Sequence, residues 1–204
     1  MFAQTHRPLE VIVVDDGSED DTRAVAQSYG ERIRFSSQER SGAGAARNAA
    51  AGFANGDHLA FLDADDRFLP EKLEHQLAAL AADPTLDMVF GHVREFVSPE
   101  LPADVQASIR PPAAPSPWTT PNLMLIQRGS FDRVGPFATE LRVAETVDWY
   151  ARAVEAGLKG VVLQEIVLER RLHPRNSGLR ERDARSDYLQ VIRASMERRR
   201  RQQG

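Results

Sequence analysis

Apolar residues along the chain fall into two alternating kinds of run. Leu9–Val14 (LEVIVV), Ile33–Ser36, His58–Leu62, Leu86–Val97, Asn122–Gln127 and Gly160–Val167 are short stretches carrying β-branched and aliphatic residues, and they read as strands. The first suits a strand buried on both faces of a parallel sheet, and Gly91 interrupts the fourth. Between them lie segments of helical character. Asp20-Asp21-Thr22 offers capping oxygens for a helix over about Arg23–Tyr29, closed by Gly30. Gly42–Ala51 begins glycine-rich and turns alanine-rich, which predicts a loop leading into a helix packed close to the sheet. Pro70 opens a helix to Ala82 with Leu73, Leu77 and Leu80 on one face, stopped at Asp83-Pro84. Ser130–Val134 reads as a helical turn before a break at Gly135-Pro136. Glu145–Ala156 places Val147, Tyr150, Ala151 and Val154 on one face, with Gly157 at its end, and Arg182–Arg201 reads as a basic final helix. The alternation predicts an α/β fold with a mainly parallel sheet.

Seven of the 12 prolines fall between Ser98 and Pro121, which predicts a long irregular excursion. At 204 residues one domain is expected, divided into 1–97, the Pro-rich loop 98–121, 122–181, and a basic helix at 182–204. The chain has no cysteine, excluding disulfides, thiolate metal sites and a cysteine nucleophile. A formal charge of −4 gives no global field for nucleic acid, so an anionic ligand has to be held locally. No apolar run reaches the length of a spanning helix, and residues 1–8 lack the apolar segment of an export signal. The expected setting is cytoplasmic, with at most peripheral membrane contact.

Two strands end in carboxylates: Asp15-Asp16 after the first and Asp63-Ala64-Asp65-Asp66 after the one at His58–Leu62. In open α/β sheets ligands bind beyond the carboxyl ends of strands, so the two clusters are expected to converge. Asp63 and Asp65 offer hard oxygen ligands to Mg²⁺ or Mn²⁺, with phosphates and water completing the octahedron. The plain alternative is that these aspartates cap the following helix.

Val14-Asp15-Asp16-Gly17-Ser18, then Gly42-Ala43-Gly44-Ala45-Ala46-Arg47-Asn48, then Gly56–Asp66 resemble, in order and spacing, the nucleotide-sugar domain of family 2 glycosyltransferases. The likeness runs on through Gly135-Pro136-Phe137, the helix at Glu145 and Arg171-Leu172-His173-Pro174. It implies a GT-A (Rossmann-like) three-layer α/β/α domain, a nucleoside-diphosphate sugar as donor, a divalent cation (Mn or Mg) and inversion at the anomeric carbon. By the same resemblance Asp16, with Asp15 beside it, contacts nucleobase or ribose, and Arg47 contacts nucleotide or phosphate. Asp63 faces the ribose and metal, Asp65 ligates the metal, and His173 approaches the cation or diphosphate. The acceptor hydroxyl, on a glycan, a lipid-linked or a small molecule, also needs a base. The family commonly carries Glu-Asp at the start of the late helix, where this chain has Glu145-Thr146, and Thr146 cannot serve. Asp148 shares a helix face with Glu145, and either can substitute, with Asp148 slightly preferred. An ordinary ion pair to Arg152, four residues on, is the competing account of Asp148. Trp149 is an acceptor platform or part of the core.

The chain departs from the family at its start, where relatives have a strand, a short loop and a helix ending in residues like Phe2–His6. Without that first strand, the expectation is that the chain leaves a gap beside Leu9–Val14, recruits another segment there, or is part of a longer protein, and a homo-oligomer stays open. Two rival readings are a degenerate domain that binds sugar nucleotides without turnover and a phospho-receiver module. The receiver lacks support, since Gly160–Val167 is followed by Glu169-Arg170-Arg171 and no Lys-Pro pair. Arg198–Arg201, with Arg193 a turn earlier, is either a solvated helix end or a contact to anionic lipid or an acidic acceptor. Leu189, Val191, Ile192 and Met196 form too narrow a face for membrane insertion.

Overall fold

A computed structural model of the protein describes residues 1–7, 10–141, 143–174, 176 and 185–203. The chain forms two interleaved compact units. One comprises Met1–Arg7, Ala60–Ile126 and Leu158–Arg185; the other comprises Pro8–Leu59, Gln127–Gly157 and Ser186–Gly204.

The first unit is built on two long strands, β5 (Met88–Val97) and β8 (Gly160–Leu172), which pair in parallel over most of β5. Three short antiparallel pairings extend them. β4 (Arg67–Phe68) lies against β8, and β6 (Ser116–Pro117) and β7 (Leu125–Gln127) lie against β5. The sheet is therefore mixed. It is parallel in its long ladder, and the antiparallel additions are too short to announce themselves in sequence. α3 (Lys72–Ala82) packs Leu73 and Leu80 against Val89 and Leu125, with Leu77, Val161 and Leu163 around them. The expected apolar face of this helix is thus its buried face.

α3 also buries Lys72 and Gln76. The Lys72 ammonium donates to the Leu123 carbonyl (2.9 Å) and lies 4.6 Å from the Phe68 ring centre, while Gln76 donates to the carbonyls of Val89 and Leu123. Burial pushes the Lys72 pKa well below the ordinary lysine value. The Gln4 amide donates to the Leu69 carbonyl and accepts from Leu73 N–H, tying residues 1–7 to the helix start. The β5–β8 register shifts between Phe90 and His92, across Gly91, and again between His92 and Val93, and an added Cβ on Gly91 would lie 2.7 Å from Val167 Cγ1. β5 therefore runs unbroken through Gly91, where the sequence suggests an interruption. The irregularity is a bulge of β8, whose residues 163–165 lie opposite Gly91, and the missing side chain lets β8 approach closely. β8 also continues past Val167, its anticipated end, to Leu172. The Pro-rich excursion holds α4 (Ala103–Ser108) as well as β6.

The second unit contains a two-stranded parallel sheet, β1 (Ile12–Asp16) with β2 (Arg34–Gln38). Among the described residues β2 is the one ladder partner of β1, and Ile12, Val13 and Val14 are half-buried rather than covered on both faces. α1 (Thr22–Ser28) follows β1, and α2 (Ala43–Phe53) packs on it. α5 (Arg128–Val134), α6 (Glu145–Glu155) and α7 (Arg185–Gln203) complete its elements, while β3 (His58–Ala60) is an edge strand of the mixed sheet, beside β7. An aromatic cluster joins α5 to α6: Trp149 lies 5.5 Å from the rings of both Phe131 and Phe137 and donates its indole N–H to the Gly135 carbonyl. Trp149 is 2% exposed, which makes it core and not a platform for an acceptor. The part of the expected final helix at Arg182–Ala184 lies outside the described residues.

Candidate functional site

In the first unit the carboxylates after β3 form a tight turn in which Asp66 N–H donates to the Asp63 carbonyl (3.1 Å). The turn divides the acids by environment. Asp66 points inward, accepting from Arg171 N–H (3.1 Å) and the Asn122 amide (2.7 Å). Burial, reinforced by the charges of Asp65 and Asp63, pushes its pKa up to about 6, against the lowering effect of those two donors.

Asp65 points outward and keeps 39% of its side chain exposed. Its Oδ2 lies 3.0 Å from His173 Nε2 and 3.4 Å from the Asn176 amide. His173 lies just past the end of β8, and its backbone N–H donates to Asn176 Oδ1 (2.7 Å). Arg171 braces the arrangement: its Nε donates to the Asp65 carbonyl, and its Nη1 reaches Ser98 and Glu100 (2.7 Å to Glu100). The Ser98 hydroxyl, and after it that Arg171 contact, hold the Glu100 carboxyl down at about pKa 2.

The sequence-expected trio is thus brought together in part. Asp65 and His173 meet across 108 positions, whereas among the described residues no three His, Asp or Glu are grouped as a metal cage. Half-buried Asp63 starts the turn. A carboxylate oxygen beside an imidazole nitrogen still fits a hard, borderline cation such as Mn²⁺, which takes much of its coordination from water and substrate phosphate. Sequence reasoning missed Asn176 and Arg171 as supports. Their signal was present in the run Arg171-Leu172-His173-Pro174-Arg175-Asn176, whose polar members recur around the histidine.

In the second unit Asp15 and Asp16 serve the backbone. Buried Asp15 accepts from Ser18 N–H (3.0 Å), closing the turn through Gly17, whose φ of 72° and whose closeness to the Arg40 backbone leave no room for a side chain. Asp16 Oδ1 accepts from the Gln38 amide and Ser41 N–H, and Oδ2 accepts from Gly42 N–H, each at 2.8 Å. Asp16 therefore fixes the loop that opens α2.

On α2, Arg47 Nη1 donates to Glu145 Oε1 (2.9 Å), with both side chains largely buried. Asn48 exchanges two hydrogen bonds with the backbone of Phe137, and a Cβ on Gly44 would meet the Ala138 carbonyl at 3.1 Å. The small residues at the start of α2 are what let it approach the segment before α6. Glu145 Oε2 accepts no hydrogen bond from the described residues. Asp148 is held by Arg152 (2.8 Å) and faces Arg198 (3.6 Å). The ion pair weighed for Asp148 exists, inside the fold rather than on its surface.

The profile of Glycosyl transferase family 2 matches residues 1–144. An uncharacterised glycosyltransferase of Haemophilus influenzae is 30% identical over 165 residues, covering 74% of this chain and 54% of the relative. An uncharacterised glycosyltransferase of Rickettsia prowazekii is 41% identical over 79 residues, covering 39% of this chain. The chain spans only 25% of that relative's length. Among solved structures, Staphylococcus aureus TarS 1–349 in complex with UDP-GlcNAc superposes with a TM-score of 0.68 at 19% identity, covering 96% of this chain and 59% of TarS 1–349. The mannosyltransferase PcManGT of Pyrobaculum calidifontis, in complex with GDP-Man and Mn²⁺, gives 0.67 at 22% identity, covering 96% and 58%. A profile match over more than half its length, and a fold shared with GT-A glycosyltransferases, place this chain in glycosyl transferase family 2.

Proposed function

We propose that the chain carries out metal-dependent, inverting transfer of a sugar from a nucleoside diphosphate to an acceptor hydroxyl. The observation that carries this reading is the pairing of Asp65 with His173 at a half-exposed turn braced by Arg171 and Asn176. Asp65 and His173 would hold Mn²⁺ or Mg²⁺, with Asp63 toward the ribose. When bound, the cation supplies positive charge that stabilises the departing diphosphate. The complexes of TarS with UDP-GlcNAc and of PcManGT with GDP-Man and Mn²⁺ support a donor and cation of this class.

In the second unit Asp16 and Arg47 are the nucleotide-side residues, Asp16 through the loop it orders. Glu145 is the better placed proton acceptor. One of its oxygens is fixed by Arg47 and the other takes no hydrogen bond from the described residues, whereas Arg152 and Arg198 occupy both oxygens of Asp148. The acceptor hydroxyl would give its proton to Glu145 as its oxygen attacks the anomeric carbon opposite the leaving group.

Calorimetric titration with UDP and GDP, with and without Mn²⁺, tests the donor reading. Metal-dependent affinity should be lost in Asp65→Ala, and a folded protein with no nucleotide affinity overturns it. Turnover tests the base: Glu145→Gln should lower kcat by about 10²-fold or more. A second reading, nucleotide binding without turnover, draws on the arginines that engage both candidate bases, and it gains if binding is intact while no transfer is measured.

A further inference from the structure

α7 divides the apolar set that the sequence offers as one narrow face. Val191 turns inward, 4% exposed, against Leu141 and Ala144, and Arg198 follows it to Glu155 and Asp148. Leu189, Ile192 and Met196 are 54%, 55% and 51% exposed and lie on the opposite side of the helix. At 100° per residue, Arg193 and Arg200, both exposed, fall in that same outward sector, with exposed Glu197 next to Arg193, while Arg199 borders it and lies 3.9 Å from Glu155. The helix carries six arginines against two acidic residues in a chain whose formal charge is −4. Apolar and cationic groups thus share one solvent-facing strip.

We propose that this outer face of α7 is a peripheral docking surface for anionic phospholipid, independent of the donor site. The mixture of groups selects the partner. Three half-exposed aliphatic side chains fall well short of the roughly 800 Å² that each side of a stable protein interface buries. An arginine stem, by contrast, can lie along the acyl boundary while its guanidinium stays among the headgroup phosphates. Arg198, held in ion pairs, is left out of the contact, and Leu189, Ile192 and Met196 enter only to headgroup depth.

Flotation of the full chain with vesicles of phosphatidylcholine, alone or mixed with phosphatidylglycerol, tests this. Binding is expected on the mixed vesicles only and should weaken as salt is raised. Removing a single arginine (Arg193→Gln or Arg200→Gln) should reduce partitioning about fivefold, and Leu189→Ser/Ile192→Ser/Met196→Ser should abolish it. Because all these side chains are exposed, melting temperatures should be unchanged, which separates lost docking from lost folding. Equal binding to neutral vesicles overturns the proposal, as does binding to neither. So does self-association in sedimentation that the serine variant abolishes, which would give the face to a second copy. Arg193→Gln/Arg200→Gln that still floats with mixed vesicles likewise overturns it.

Discussion

The carboxylate of Asp16 accepts from three donors, two of them backbone N–H groups of the loop before α2. Asp16→Ala removes the acceptor from all three, the exposed Ser41 and Gly42 N–H groups turning to water, and unfolding in urea should show a loss of about 1 kcal/mol. Arg47 and Glu145 are more tightly bound to each other's presence. Arg47→Ala leaves a buried carboxylate without its partner and should cost about 3–5 kcal/mol, much of it regained in Arg47→Ala/Glu145→Gln. Asp66 governs a pH response. Its folded pKa, about 6, lies above the ordinary 3.8, so its contribution is complete below pH 4 and is lost as pH rises through 6. The change is on the order of 3 kcal/mol. Denaturation across pH 4 to 7 in chelator should show this fall in the native protein and not in Asp66→Asn. At this scale the sequence supplied the acids and the helix that carries Glu145 and Asp148. Helix spacing also offered Arg152 to Asp148, and the family resemblance brought His173 toward Asp65; what the sequence did not supply was the pairing of Glu145 with Arg47, 98 positions away.

Elements were legible where their side chains repeat. α3 declares itself through spacing, and β1, β3 and β5 through β-branched or apolar runs. α6 forms where expected, but its expected apolar face is turned out: Val147 and Val154 are exposed while Glu145, Asp148, Trp149 and Ala153 are buried, because the helix packs its aromatic and its ion-paired carboxylates inward. β4 and β6, two residues each, carry no period to read. The extension of β8 through Arg170 and Arg171 reads as a polar exit until its partners are known. Arg170 pairs with Glu95 on the adjacent strand (2.6 Å), and Arg171 N–H reaches Asp66. The same two strands dictate Gly91. Gly91→Ala drives a methyl into Val167 and the Glu165 carbonyl, with a loss of about 1–3 kcal/mol that calorimetric melting should register as a lower Tm. Gly44→Ala, facing 3.1 Å to a carbonyl, should cost less.

At the scale of the whole molecule, two compact units share one chain that passes between them repeatedly. A ligand that binds only the folded state stabilises it by about 2.7 kcal/mol at a hundredfold excess over Kd. Thermal melting with a nucleoside diphosphate and Mn²⁺ together should therefore rise above melting with either alone, and Asp65→Ala should remove the difference. By itself the sequence determined the alternation of strands and helices, the ordered motifs that mark the family and the acidic ends of β1 and β3, since periodicity, turn chemistry and residue type are local. Tertiary structure alone decided the surroundings of each carboxylate. Asp65 faces His173, Asp66 turns inward, Asp16 orders a loop, Asp148 lies between arginines, and Trp149 is core. These outcomes depend on contacts between segments far apart in sequence, where burial and the nearest charge set a side chain's role.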